Sequence, residues 1–162
     1  MTDTIEYRMA VPEDESALTE LWWDMQASHH EYEPVWYADK GEEWCKASWR
    51  EHYRHLLQGE QNVIVVAVSA GKPVGMIVAQ FIGRPPIYTT ERMVAIASTV
   101  VHRAFRQRGL FKGMLSVLEE AARHAGVRVM KLSVHHLNAS AAQAYGKSGF
   151  VLESTGMIKW IK

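Results

Sequence analysis

Basic residues are concentrated in one short segment of this sequence, directly after an apolar run. They are Arg103, Arg106, Arg108 and Lys112. A helical apolar pattern starts at Leu110, so the segment should form a turn at a helix N-terminus, where main-chain N–H groups have no partners within the helix. Such a terminus binds anions, and Gly109 would let the main chain approach a ligand closely. We therefore expect a diphosphate site here. Taken alone, the segment is equally consistent with a solvated basic loop.

Two glycine-rich phosphate-binding patterns are excluded for this turn. The sequence contains neither the Gly-x-x-x-x-Gly-Lys-Ser/Thr pattern of a P-loop nor the Gly-x-Gly-x-x-Gly pattern of a dinucleotide-binding turn.

A second segment, near the C-terminal end, combines residues that cap helices and donate protons. Asn138 precedes an alanine-rich helical pattern that contains Tyr145 and ends at Gly149-Phe150. An asparagine at a helix start can accept a hydrogen bond from an exposed N–H. A tyrosine hydroxyl is protonated at neutral pH and can act as a general acid. Packing of Tyr145 against a sheet is the alternative interpretation.

The strands and helices that the sequence predicts follow the order β-α-α-β-β-β-α-β-α-β. The predicted strands are Ile5–Val11, Asn62–Ser69, Pro73–Ile82, Arg92–Val101 and Arg128–Val134, with one or two more in Val151–Ile161. Four helices are predicted. The first begins at Pro12, the second runs from Gly41 to Leu57, the third from Leu110 to near Gly126, and the fourth from Asn138 to Lys147. We interpret His29–Lys40 as a loop. Consecutive strands favour antiparallel pairing, whereas the strand–helix–strand step after Arg92 favours a parallel pair.

These two segments resemble the GNAT superfamily of N-acetyltransferases. The core motif of that family is Arg/Gln-x-x-Gly-x-Gly/Ala, between its fourth strand and third helix, and this chain reads Arg106-Gln107-Arg108-Gly109-Leu110-Phe111. Phe111 departs from the small residue of the motif, which lets the main chain approach the pyrophosphate. The phenylalanine side chain could point away while its N–H still donates, so we expect weaker or shifted binding rather than none. The segment from Asn138 to Phe150 is similar to the family's Asn…Ala…Tyr…Gly-Phe pattern.

The resemblance implies an α/β fold whose six- to seven-stranded sheet is mixed and mostly antiparallel. About four helices would cover both faces, and central strands four and five would be parallel and splayed. It implies acetyl-CoA as cosubstrate, its extended arm paired with strand four. The residues expected to bind it are Thr99, Val101, Arg106, Gln107, Arg108, Gly109, Leu110, Phe111, Lys112, Gly113, Asn138 and Tyr145.

The resemblance also implies direct attack of an amine on the acetyl group, without an acyl-enzyme. Tyr145 is the candidate general acid. Ser98 occupies the strand-four position at which relatives often have a carboxylate, and could position a water. Other candidate bases, each also readable as a surface group, are Glu31, Glu33, Glu91 and His102.

The acceptor would be a small-molecule amine or a peptide amine. Aromatic residues near the predicted loop could wall its pocket, and these are Trp23, Tyr32, Trp36 and Tyr37. Glu31 and Glu33 would suit a cationic amine. Trp22, Trp44 and Trp49 are predicted to belong mostly to the core.

Composition excludes several other classes. The balanced charge argues against a nucleic-acid-binding module, and no apolar run approaches the roughly 20 residues that span a bilayer. The chain has one cysteine and lacks a signal-peptide pattern, so we expect one domain over residues 1–162 in the cytoplasm. Adjacent histidines at His29-His30 and His135-His136 do not have metal-ligand spacing.

The family resemblance admits a homodimer. A non-catalytic acyl-CoA sensor on the same fold is the alternative function.

Overall fold

One mixed sheet with helices on its two faces organises the chain. The computed structural model describes residues 4–161. Its strands are β1 (Ile5–Met9), β2 (Asn62–Ser69), β3 (Lys72–Gly83), β4 (Arg92–Val101) and β5 (Met130–Leu132). Its helices are α1 (Glu15–Tyr32), α2 (Glu42–Gln58), α3 (Leu110–His124) and α4 (Ala139–Lys147). A 3₁₀ turn precedes α1 at Pro12–Asp14, and another follows β4 at Arg103–Phe105.

The strands lie side by side in sequence order. Neighbours from β1 to β4 are antiparallel, and β4 pairs with β5 in parallel. That parallel pairing covers Val94–Ile96 of β4 only. Within the described residues, the remainder of β4 therefore has no strand partner on its β5 side, which agrees with the predicted divergence of the two strands.

The sheet is buried on both faces because its central strands are apolar throughout. Along β2, Val65 and Ala67 pack with α3, whereas Val66 and Val68 pack with α1 and α2. A strand covered on both faces reads as a continuous apolar run rather than an alternating one. Tyr53 anchors α2 on its face of the sheet, since its hydroxyl donates to the Val11 carbonyl at 2.7 Å.

A bulge in β4 reverses the direction of its side chains. Val78 of β3 pairs with Ser98 and Ala79 pairs with Ile96, so Ala97 has no partner. An extra residue in one strand shifts the alternation of the following side chains to the other face. Ile96 accordingly packs on the α3 side, whereas Val100 packs on the α1–α2 side.

One departure from the predicted elements lies in a segment rich in histidine and aromatic residues. The segment His29–Tyr32, predicted as loop, is the last turn of α1. The helix ends at Tyr32, and Glu33 leaves the helical conformation because Pro34 follows. A residue before proline is driven to extended conformation, and Glu33 has a φ of −151°. Polar and aromatic composition alone does not stop a helix.

The sheet of the described residues has five strands rather than six or seven. No strand forms in residues 151–161, where the apolar side chains of Val151, Leu152 and Met157 are more than four-fifths exposed. Strand β5 is also shorter than predicted, and its three residues offer little edge for another strand to pair with. The sequence predicted one or two strands in Val151–Ile161 but does not show which strand they would pair with.

No helix within residues 4–161 combines the length and the apolar character that crossing a bilayer requires.

Close packing fixes α3 against β1. A Cβ added at Gly113 would overlap the ring of Tyr7. Gly113 also donates its N–H to the Gly109 carbonyl at 3.1 Å, inside the first turn of the helix. The small residue at this position therefore has a packing reason that is independent of any ligand.

Replacing Gly113 by alanine should lower the free energy of unfolding by about 1–3 kcal/mol, because the added methyl group forces Tyr7 or α3 to move. Denaturant titration would measure the loss. Gly146→Ala is the matched control, since nothing lies within 4 Å of a Cβ at that helical position. Equal stability of the Gly113→Ala protein and the wild type would contradict the packing role.

Candidate active site

The N-terminus of α3 presents uncapped main-chain donors to an open space. No described side chain caps this helix. Gly109 has a φ of 77° and Gln107 a φ of 62°, so two residues of the turn are left-handed. Such residues direct successive N–H groups into a concave surface that binds anions. A Cβ at Gly109 would meet nothing within 4 Å.

The basic side chains of this turn are exposed beside those donors. In the part of the chain that the structure describes, Arg103, Arg106, Arg108 and Lys112 take part in no salt bridge. Arg106 Nε donates to the Val101 carbonyl at 3.1 Å, which ties the turn to the end of β4. The Arg108 guanidinium lies 5.2 Å from the Phe105 ring centroid. The arrangement concentrates positive charge at one helix end.

Phe111 departs from the small residue of the motif, and its ring packs inward. Its centroid lies 5.1 Å from that of Tyr145 in an edge arrangement, and it also contacts the core on the α3 side. Leu110 is buried in the same core, so only its main chain is available to a ligand. The structure thus brings the first motif segment into contact with α4.

Tyr145 lies beside Thr99 of β4. Burial raises the pKa of Tyr145 above its ordinary value, and the neighbouring Thr99 hydroxyl offsets part of that rise. Thr99 Oγ1 is nevertheless buried without a well-formed hydrogen bond to any described residue, so the two hydroxyls are adjacent rather than firmly bonded. The Tyr145 phenol is therefore a proton donor at neutral pH, and the Thr99 hydroxyl beside it is able to form a further hydrogen bond.

Asn138 caps α4. Its side-chain oxygen accepts a hydrogen bond from the Ala141 N–H at 3.1 Å. Capping, one of the two roles expected for this residue, therefore occurs. It orients α4 and hence Tyr145, two turns later on the same helix.

Ser98 lies on the other face of β4. It borders an open-sided cavity of about 350 Å³ between the sheet and the first two helices. Other lining residues are Trp22, Trp44, Trp49, His52 and Ala97. The bulge at Ala97 causes this placement, because without it Ser98 would point to the α3 side. Ser98 and Thr99 thus flank the unpaired edge of β4 from opposite faces.

The other candidate bases lie away from this cavity. Glu31 and Glu33 are at the end of α1, and Glu91 precedes β4, at the opposite end from Val101. His102 caps the 3₁₀ turn after β4, where its Nδ1 accepts from the Ala104 N–H at 3.3 Å. It also borders a second cavity of about 350 Å³, with Asp24, Arg103 and Arg106.

A cluster of aromatic rings joins α1 to the segment after β5. His29 stacks on Tyr37, and Tyr32 stacks on His135, each at 5.0 Å between centroids. Burial and the nearby His135 lower the pKa of His29. Tyr32 and Tyr37 therefore pack with histidines and do not line the Ser98 cavity. The ring centroids of Trp36 and Trp160 lie 6.0 Å apart. Among residues 4–161, no three histidine, cysteine or acidic side chains form a group that could hold a metal.

Sequence reasoning missed the contribution of α2 to the cavity. Trp44 was expected in the core, yet it is 54% exposed at the cavity edge. Ser48 and His52 follow it at four-residue intervals, so they share one helix face. That spacing was visible in the sequence. The surroundings of this helix face depend on the β4 bulge, which the sequence did not reveal.

Comparisons with known proteins place this geometry in context. No curated protein gave a significant match. A predicted acetyltransferase from Clostridium acetobutylicum, solved with acetyl-CoA, is 22% identical with a TM-score of 0.70, over 98% of this chain and 95% of that chain. A mutant BH1408 protein from Bacillus halodurans is 18% identical with a TM-score of 0.86, over 97% and 99%. The aminoglycoside N-acetyltransferase AAC(6')-Iy, solved with CoA, is 16% identical with a TM-score of 0.72, over 97% and 98%. These likenesses show a shared fold.

The family comparison covers most of the sequence. The model of the Acetyltransferase (GNAT) family matches residues 15–150, a range that includes both motif segments. Acetyltransferases of this family use acetyl-CoA, so the predicted family and cosubstrate are both confirmed. The chain belongs to the GNAT family of acetyltransferases.

Proposed function

We propose that residues 1–162 form one N-acetyltransferase domain that transfers acetyl from acetyl-CoA to a primary amine of a small molecule or peptide. One observation supports this above all. The edge of β4 that no described strand pairs with begins at the bulge, runs between Ser98 and Tyr145, and leads to the donors of α3. A long ligand with a diphosphate at one end and a reactive carbonyl at the other would fit such a path.

The front of α3 would hold the diphosphate. Main-chain N–H groups from Arg108 to Lys112 would donate to phosphate oxygens, and the guanidinium groups of Arg106 and Arg108 would add charge. The left-handed Gly109 and the space in front of it suit a close main-chain approach. The Phe111 ring packs against Tyr145, so the size of this side chain would not prevent the Phe111 N–H from donating to the ligand.

The edge of β4 would hold the extended arm of the cosubstrate. Main-chain groups beyond Ile96 have no β5 partner among the described residues, so they are able to pair with a ligand as with an added strand. An N–H between Thr99 and Val101 would donate to the acetyl oxygen as that oxygen gains charge. Bound acetyl-CoA supplies the acetyl group as a thioester.

The chemistry requires one nitrogen–carbon bond to form and one carbon–sulfur bond to break. A neutral amine forms the new bond and then releases a proton, while the departing sulfur gains one. Tyr145 would donate the proton to the sulfur, since burial keeps its phenol protonated. Ser98, on the cavity side, would position a water that accepts the proton from the amine.

Reversing the charge of Lys112 should weaken CoA binding by about tenfold, roughly 1.4 kcal/mol, because a carboxylate at a helix N-terminus repels phosphate. Calorimetry on Lys112→Glu would measure the change. Arg123→Glu is the matched control, with the same charge change in the last turn of the same helix. Equal losses in both variants would mean that only net charge matters.

Replacing Tyr145 by phenylalanine should lower kcat by about 10²–10⁴-fold while CoA still binds. Burial raises the phenol pKa, and the protonated form is the active one. The wild-type rate should therefore persist through the usual phenol range near pH 10 and fall only at higher pH. Thiol release measured against pH would show that fall, and Tyr145→Phe should lack it.

Tyr88→Phe, at an exposed loop position, is the control for this experiment. Unchanged turnover in Tyr145→Phe would remove the phenol from the mechanism.

A non-catalytic acyl-CoA sensor is the second candidate function. Two observations favour it, namely the serine in place of a carboxylate at Ser98 and the phenylalanine at position 111. CoA binding without thiol release, over a panel of polyamines, amino acids, aminoglycosides, aromatic amines and peptide N-termini, would establish the sensor and reject the enzyme.

A further inference from the structure

We infer that the acetyl acceptor is a small primary amine with a single positive charge and a flat apolar or aromatic body, bound in the cavity beside Ser98. The inference rests on the proposed function and names its substrate class. It excludes polyamines and aminoglycosides, which carry several positive charges, as preferred acceptors.

The walls of the cavity are flat and apolar. Trp22 stacks on Trp49 at 5.7 Å between ring centroids, and Trp44 forms the exposed edge. Leu56 and Val78 complete the apolar lining. At about 350 Å³ the cavity lies near the lower end of the ~300–1,000 Å³ range of small-molecule sites. Because Trp49 is already stacked between Trp22 and Tyr53, the half-exposed Trp44 ring offers the area on which a flat apolar ligand could pack.

The charges around the cavity disfavour a polycation. No carboxylate is among its described lining residues. The Lys40 ammonium lies 4.3 Å from the Trp44 ring centroid, which places a positive charge beside the cavity edge. Glu20 of α1 and Glu42 of α2 both form salt bridges with Lys46, with distances of 2.6 and 2.7 Å between their carboxylate oxygens and Lys46 Nζ. A second ammonium group would find a like charge at the cavity edge and no carboxylate among the described lining residues.

The same environment favours the reactive form of a monoamine. Apolar surroundings and a nearby cation both lower the pKa of an ammonium group, so more of the amine is neutral and able to attack. The polar lining groups are few and lie together on α2 and β4, namely Ser48, His52 and Ser98. By residue type, the His52 imidazole suits acceptance of the amine proton from the water that Ser98 would position. The cavity is thus suited to hold one amine against the β4 edge.

The test compares acceptors in thiol-release assays and calorimetry with the full chain. Phenethylamine and tryptamine should give kcat/KM values at least tenfold above those of spermidine and kanamycin. Ser48→Leu, which fills the cavity from an exposed helix position, should raise the KM for phenethylamine at least tenfold and leave CoA affinity unchanged. Ala47→Leu is the matched control, because Ala47 is exposed on the same helix outside the lining.

A second variant tests the charge argument separately. Lys40→Glu should narrow the preference for phenethylamine over spermidine at least threefold, since the cation at the edge is replaced by a carboxylate. An unchanged preference would contradict the role of Lys40.

The outcomes separate this inference from the function on which it rests. Polyamines or aminoglycosides acetylated at least as fast as aromatic monoamines would overturn the inference and leave the N-acetyltransferase in place. An unaltered KM in Ser48→Leu would place the acceptor outside this cavity and likewise overturn the inference alone. No thiol release with any amine, with CoA still bound, would overturn the proposed function and the inference together.

Discussion

One unpaired residue, Ala97, determines how β4 presents its side chains. Upstream of it the strand packs as an ordinary member of the sheet. Downstream, Ser98 faces the cavity and Thr99 faces Tyr145, and the pairing with β5 has ended. A regular strand would direct Ser98 toward α3 and Thr99 toward α1, which would separate Thr99 from the phenol. The bulge therefore places two adjacent hydroxyl side chains on opposite faces of a single strand.

The second constraint is the placement of the α3 N-terminus at the end of that strand. Arg106 bonds the Val101 carbonyl, and Tyr7 packs into the space left by Gly113, so the helix is held at both its start and its side. An anion site built from main-chain groups has no freedom to adjust by side-chain rotation. Its position relative to β4 is therefore as rigid as the packing beneath it.

Local patterns predicted much of this molecule from its sequence. The basic turn, the helix after it, the Asn138 cap and the parallel crossover all follow from neighbouring residues. The bulge at Ala97, the length of α1 and the missing strands after Phe150 depend on pairing between distant segments, which a single sequence does not display. Trp44 illustrates the limit, because an apolar helix stripe looks the same whether it faces a core or lines an open cavity.

The contact between Phe111 and Tyr145 makes two positions in different motifs interdependent. The two rings meet edge to face, with an angle of 64° between their planes, so each restricts the orientation of the other. A glycine grafted at position 111, as in the wider family, would free the main chain but also remove a wall from the phenol, which would then sample more orientations. Substitutions at these two sites are therefore expected to be non-additive, because a glycine at position 111 would free the main chain while loosening the phenol.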